Sequence, residues 1–152
     1  MNSKISRYII RVYALIMNSK KEILISDEYQ LDMRMTKFPG GGMHFGEGPV
    51  DCVKREAIEE MGQEIEVLEH FYTTDYFQPT QFYDDAQLIS IYYFASFKDP
   101  IHFKISENAF DFGEEKNGAQ SFRWVDLADL KEHKMTFPID QKVVALLKGK
   151  FL

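Results

Sequence analysis

A single cysteine, Cys52, stands among 152 residues, so no internal disulfide can form and stability has to come from packing. No stretch approaches the roughly 18 uninterrupted apolar residues that a membrane span requires. The apolar run after Lys4 and Arg7 is interrupted by Arg11 and no small-residue cleavage site follows it, so a strand is expected there. Positive charge is also scarce. Eighteen lysines and arginines against 24 acidic residues leave a formal charge of -6, the wrong sign for gripping a nucleic-acid backbone by bulk charge. If the ligand is anionic, a cation must mediate. The four histidines, at 44, 70, 102 and 133, form no cluster with zinc-ligand spacing. There is no internal repeat, low-complexity tract or Pro/Ser-rich linker. These absences exclude a stapled secreted scaffold, a zinc domain and a repeat array, and a reducing, cytoplasmic setting is the simplest reading.

What is present is ordinary for a globular chain: 45% hydrophobic and 28% charged residues, enough for one packed core. A single domain spanning residues 1–152 is expected. Tyr8 to Met17 is rich in β-branched and aromatic residues, turns at Asn18, Ser19 and Lys20, and resumes at Ile23, Leu24 and Ile25, which reads as a hairpin. Met33 to Phe38 reads as a short strand that gives way to a loop at Pro39 and the glycines 40, 41 and 42. A helix is then expected from Pro49 to Met61, with Gly48 as N-cap and Gly62 as stop, and with Val50, Val53, Ala57 and Met61 facing inward. Glu64 to Val67 leads into extended chain through Tyr72, Tyr76 and Phe77. Ala86 to Phe97 is apolar on both alternating faces, as a strand central to a sheet requires. Phe122 to Val125 returns to strand, Asp126 is placed to cap a short helix, and a last helix should run from about Pro138 to Lys148 with Ile139, Val143, Leu146 and Leu147 inward.

Within the first helix, Glu56, Glu59 and Glu60 stand at i, i+3 and i+4, so their carboxylates share one face. Three like charges so close, in the half of a helix where the macrodipole disfavours anions, each cost a few tenths of a kcal/mol. Arg55, four residues before Glu59, offsets part of this but cannot neutralise three carboxylates. A hard divalent cation would, and oxygen-only ligands suit Mg²⁺ or Mn²⁺ rather than zinc. The glycine run lets backbone approach closely, with the Gly40 carbonyl as the candidate loop ligand. By itself such an acid face is usually only a solvated helix surface.

Its context differs. Gly41, five residues, Glu47, seven residues, then Arg55, Glu56, Ala57, Ile58, Glu59, Glu60, Met61 and Gly62 resembles the signature of the Nudix hydrolase family, Gx5Ex7REUxEExGU, where U is apolar. The one departure is Gln63, where an apolar residue is usual, and Ala57 is a small occupant of its position. Looser resemblance extends to Phe38, Pro39 and Gly40 and to the segment from Phe122 to Leu127. The resemblance implies an α/β fold, an α/β/α sandwich around a mixed sheet. It also implies metal-dependent hydrolysis of a nucleoside diphosphate linked to another moiety, or of a nucleoside triphosphate. By motif position Glu56, Glu59 and Glu60 would be metal ligands beside the Gly40 carbonyl. Arg55 would orient the glutamates and Glu47 would brace the loop. The general base would be Glu56, or Glu114 or Glu115 from the loop 113–118. Homodimers are common in families of this kind.

Other residues have plainer readings beside the functional one. Tyr76, Phe77, Phe82 and Tyr83 lie where a substrate loop would be, yet aromatics at strand-like spacing are more often core. His44, inside the glycine loop, is placed to meet a phosphate but is more often a solvent-facing residue. Cys52, four residues before Glu56, reads as a small filler. A nucleotide-sensing module that keeps this fold without cleavage is the competing reading.

Overall fold

The apolar run near the N-terminus forms strand β1 (Arg7–Ile16), and Ile23 to Ile25 lie in β2 (Glu22–Gln30), in a computed structural model that describes residues 4–152. The turn between them is built by Asn18, whose Oδ1 accepts the Lys20 and Glu22 N–H groups at 3.0 Å each. The expected hairpin nevertheless goes no further than one bridge, Met17 to Ile23. Beyond it each strand finds other partners: β1 joins a four-stranded sheet and β2 a three-stranded one.

The chain divides into two compact units, each made of two stretches of sequence: Met1–Ala14 with Gly40–Asp99, and Leu15–Pro39 with Pro100–Leu152. In the first, the sheet order is β4 (Gly40–Gly42), β1, β6 (Ala86–Phe97), β5 (Ile65–Thr73). The doubly apolar β6 is interior to it, as its pattern required. Tyr13 and Tyr92, both buried, stack with ring centroids 5.1 Å apart and anchor this core. Helix α1 (Pro49–Met61) packs on β4 and β5.

The glycine run is strand, not loop. Gly40, Gly41 and Gly42 pair antiparallel with Tyr13, Val12 and Arg11. Glycine weakens a strand interior by itself, so the pairing follows from space: at Gly40, with φ +150°, a Cβ would fall 2.7 Å from Tyr13 Cα and against the Val12 carbonyl. At Gly40 only a residue without a side chain lies this close to β1, and at Gly41 the space a Cβ would need is taken by the Glu56 carboxylate.

In the second unit, β2 sits between β3 (Met33–Lys37) and β7 (Ala119–Asp126), antiparallel to both. Where a short capped helix was expected after Asp126 there is a turn, with the Ala128 N–H on Asp126 Oδ1 and the Asp129 and Leu130 N–H groups on its carbonyl. A single 3-10 turn follows at Glu132–Lys134. Helix α2 (Pro138–Phe151) runs three residues past the expected end. It buries Ile139, Asp140, Val143, Val144 and Leu147, whereas Leu146 is 40% exposed and turns outward.

Candidate active site

Helix α1 begins and ends as its punctuation demands. Gly48 donates its N–H to Asp51 Oδ2 at 3.0 Å, Pro49 occupies the first turn, and Gly62 adopts φ 64°, ψ 26°, the left-handed C-terminal cap, with its N–H on the Ile58 carbonyl. Gln63, the apolar position's polar occupant, is buried and donates Nε2 to the Asp99 carbonyl at 2.9 Å, so a hydrogen bond replaces the packing an apolar residue would supply there.

The inward face differs from expectation at two positions. Val53, Ala57 and Met61 are buried, but Val50 is 37% exposed and Cys52 is fully buried in its place. Cys52 faces the glycine strand, where no side chain competes for room, and its Sγ lies 3.7 Å from the Gly41 carbonyl. Burial first, and then the charge of Glu47, push its thiol up to about 12, which rules it out as a nucleophile at neutral pH.

Arg55 is the hub. A guanidinium has five N–H donors, and here they meet five oxygens, with Cys52 Sγ a further 3.8 Å neighbour of Nη2. Nε donates to Glu47 Oε2 at 3.0 Å. Nη1 donates to Glu56 Oε1 and to Glu59 Oε2 at 3.0 Å each, and Nη2 to the Gly42 carbonyl at 2.9 Å and Glu47 Oε1 at 2.7 Å. Hydrogen bonds to Glu47, then to Glu56 and Glu59, raise its pKa above an already high value, so it is permanently charged. In return the Arg55 hydrogen bond, helped by the His44 N–H at 2.8 Å, holds the Glu47 carboxyl at about 2. Glu47 thereby ties the loop after β4 to the helix.

The three helix carboxylates are not splayed alike. Glu56 is only 13% exposed and lies against Gly41, where a Cβ would come within 2.7 Å of Oε2 and closer still to Oε1. Glu59 is 55% exposed, and Glu60 is half-buried with Oε2 out of solvent contact. Among the described residues no three His, Cys, Asp or Glu side chains stand grouped as a ready metal seat, because Glu56 and Glu59 turn onto Arg55. The donor set nonetheless fits a hard cation. It is all oxygen, and three carboxylates held on one guanidinium leave two negative charges over, with Glu60 adding a third beside them.

The remaining expected residues fall elsewhere. His44 is exposed, anchored only by its backbone. Next to it Phe45, which carries no sequence signal, is completely exposed at the turn before Gly46. Tyr76, Phe77, Phe82 and Tyr83 are 40–54% exposed in the segment between β5 and β6 rather than in the core, because β5 ends at Thr73. Glu115 belongs to the second unit and takes hydrogen bonds from Arg34 Nε, at 2.7 Å, and Nη2, while Arg34 also lies over the Phe110 ring. It is not among the partners of Arg55. The Gly42 carbonyl is a partner of Arg55 that spacing in the sequence does not reveal.

A family model described as NUDIX domain matches residues 7–147. The chain belongs to the Nudix family. It is thus a Nudix hydrolase, of a family that acts on the phosphoric anhydride bonds of nucleoside diphosphate compounds. No curated protein matches it. Among solved structures it is similar to a NUDIX hydrolase from Nitrosomonas europaea, with 14% identity, TM-score 0.68, and coverage of 93% of this chain and 89% of that one. It is also similar to a MutT protein from Methanosarcina mazei Go1, at 20% identity and TM-score 0.66, covering 95% and 96%. A MutT structure described for Aliivibrio salmonicida and Vibrio cholerae matches at 24% identity and TM-score 0.57, covering 95% and 99%. At these identities the likeness is one of fold. The α/β architecture of this Nudix protein, two sheets and two helices, agrees with it.

Proposed function

We propose that this Nudix hydrolase is a divalent-cation-dependent pyrophosphohydrolase that cleaves the diphosphate bond of a nucleoside diphosphate derivative or a nucleoside triphosphate. One observation carries the reading: Glu47, Glu56 and Glu59 share a single guanidinium, so the α1 face keeps a surplus of negative charge that a polyphosphate could approach only with a cation between them. Glu56, Glu59, Glu60 and the Gly40 carbonyl are the groups that would hold Mg²⁺ or Mn²⁺. Such an ion, when bound, neutralises diphosphate oxygens and lowers the pKa of an attacking water. Arg55 holds Glu56 and Glu59 in register, and Glu47 fixes Arg55 and the loop together. Glu56, the most enclosed carboxylate against the glycine strand, is the first candidate to take the proton of the attacking water, with Glu115 the second. The oxygen of that water becomes bonded to phosphorus as the P–O–P bridge breaks. His44, Tyr76 and Phe77 are exposed groups available to the phosphates and base of the substrate.

The family match runs through both compact units, which supports one working domain over residues 1–152. The lone, buried thiol suits a reducing cytoplasm.

Glu60→Gln tests the reading. It should abolish turnover with Mg²⁺ or Mn²⁺ across NDP-sugars, ADP-ribose, triphosphates and dinucleoside polyphosphates, while thermal unfolding stays similar or rises. Product masses in ¹⁸O-labelled water then report the substrate and the phosphorus attacked. Full activity in the variant would overturn the assignment of the carboxylates, and saturable binding without product in the wild type would instead mark a nucleotide-sensing module.

A further inference from the structure

Outside the carboxylate network, the first unit holds a recess of about 230 Å³ lined by Lys54, Arg55, Ile58, Glu64, Ile65 and Lys98. We propose that it is an accessory binding site for a small phosphate monoester, a compact dianion carrying a modest apolar body. This goes beyond the hydrolase reading and does not depend on it.

The lining has two parts. Ile65, 2% exposed, and Ile58, an aliphatic residue left 48% exposed on the helix, give an apolar floor. Lys54 and Lys98 supply the charge at the rim. Arg55 offers the recess its stem rather than donors, since all five of its N–H groups are bound elsewhere. Glu64 is the one acidic group of the lining. It pairs with Lys98 at 3.8 Å, with both side chains at least half exposed, and such a pair contributes little and yields readily to a stronger anion. With the charge of Arg55 taken up by Glu47, Glu56 and Glu59, two ammonium groups face one carboxylate in the lining, a local excess of positive charge in a chain of net charge -6.

The frame is fixed by the Lys98 N–H on the Glu64 carbonyl, at 3.3 Å, and by Gln63 Nε2 on the Asp99 carbonyl. The C-terminal half of α1 opposes an anion through its macrodipole, but roughly half a charge there is outweighed by two full ammonium charges. Size decides the ligand class. At about 230 Å³ the recess lies below the roughly 300 Å³ at which drug-sized pockets begin, a size that a phosphate on a short apolar group matches.

The experiment uses the full chain, ¹⁵N-labelled, titrated with phenyl phosphate in excess EDTA so that no cation recruits phosphate to the glutamates. Saturable amide shifts are expected at Ile58, Glu64, Ile65 and Lys98, with inorganic phosphate binding more weakly because it leaves the floor empty. The double variant K54Q/K98Q should bind phenyl phosphate about tenfold more weakly or worse, and K54R/K98R should stay within about threefold of the wild type. Both changes lie on exposed side chains, and a native amide spectrum of each variant confirms its fold. Shifts that are absent, that centre on other residues, or that persist undiminished in K54Q/K98Q would overturn the proposal.

Discussion

Two arginines in this chain do opposite jobs, and the balance of charge around each tells them apart. Arg123 meets one carboxylate. Its Nε donates to Asp27 Oδ2 at 2.6 Å, and the fully buried Asp27 also accepts the Thr36 hydroxyl and the Phe110 N–H, so one positive charge closes on one negative charge. Lys37 on β3 and Glu28 on β2 form a second balanced pair at 3.3 Å, both about nine-tenths buried. Arg55 meets three carboxylates at the helix surface and leaves charge over. A closed pair inside a sheet specifies an arrangement. An open set at a surface is a site waiting for a positive partner.

Breaking the closed pair should have the largest effect on folding. Asp27→Asn leaves Arg123 without its counter-charge and should lower the unfolding free energy by about 3–5 kcal/mol in urea titration. A loss under about 1 kcal/mol would place Arg123–Asp27 with the weak surface pairs and erase the distinction. Arg55→Gln should cost less in stability, about 1–3 kcal/mol. Its catalytic cost should be larger, with kcat/KM falling about 10–100-fold as Glu56 and Glu59 lose their common support. Arg55→Lys should recover little, because one ammonium cannot span five acceptors; full recovery would mean that charge alone matters there.

The smallest effect concerns acid. Glu47 titrates in the folded chain at about 2 against 4.5 when unperturbed, so its contribution to stability is whole above about pH 4.5 and disappears as pH falls toward 2. Glu47→Gln should therefore lower stability at neutral pH and flatten the decline below pH 4.5. An unchanged acid limb would show that Arg55 does not bind Glu47 more tightly in the folded state.

Helix α1 was legible to the residue because Gly48, Pro49 and Gly62 are chemical punctuation that acts locally. Roles for Arg55 and Glu47 were implied by the family resemblance alone, and their mutual hydrogen bonds show only in the folded chain. The glycine strand was not, since its stability lies in the approach to β1 rather than in any propensity of its residues. The swap of Val50 for Cys52 on the inner face has the same origin: the room for Cys52 is created by a neighbour that has no side chain. Asp27 and Arg123, 96 residues apart, carry no periodic or spaced signal, and neither does the pairing of Arg34 with Glu115. Buried and long-range polar pairs are chosen by topology, which a linear pattern does not display.

The interleaving of the two units sets an order on biosynthesis. Every residue of the unit that carries the glutamates has been joined once Asp99 is added, while the other still lacks its final 53 residues, Pro100–Leu152. At about 5–20 residues per second the ribosome takes roughly three to ten seconds over that remainder. During that interval β2 and β3 exist without β7, so a nascent edge bearing Asp27 and Glu28 waits for the arginine and glutamine that later strand brings to it.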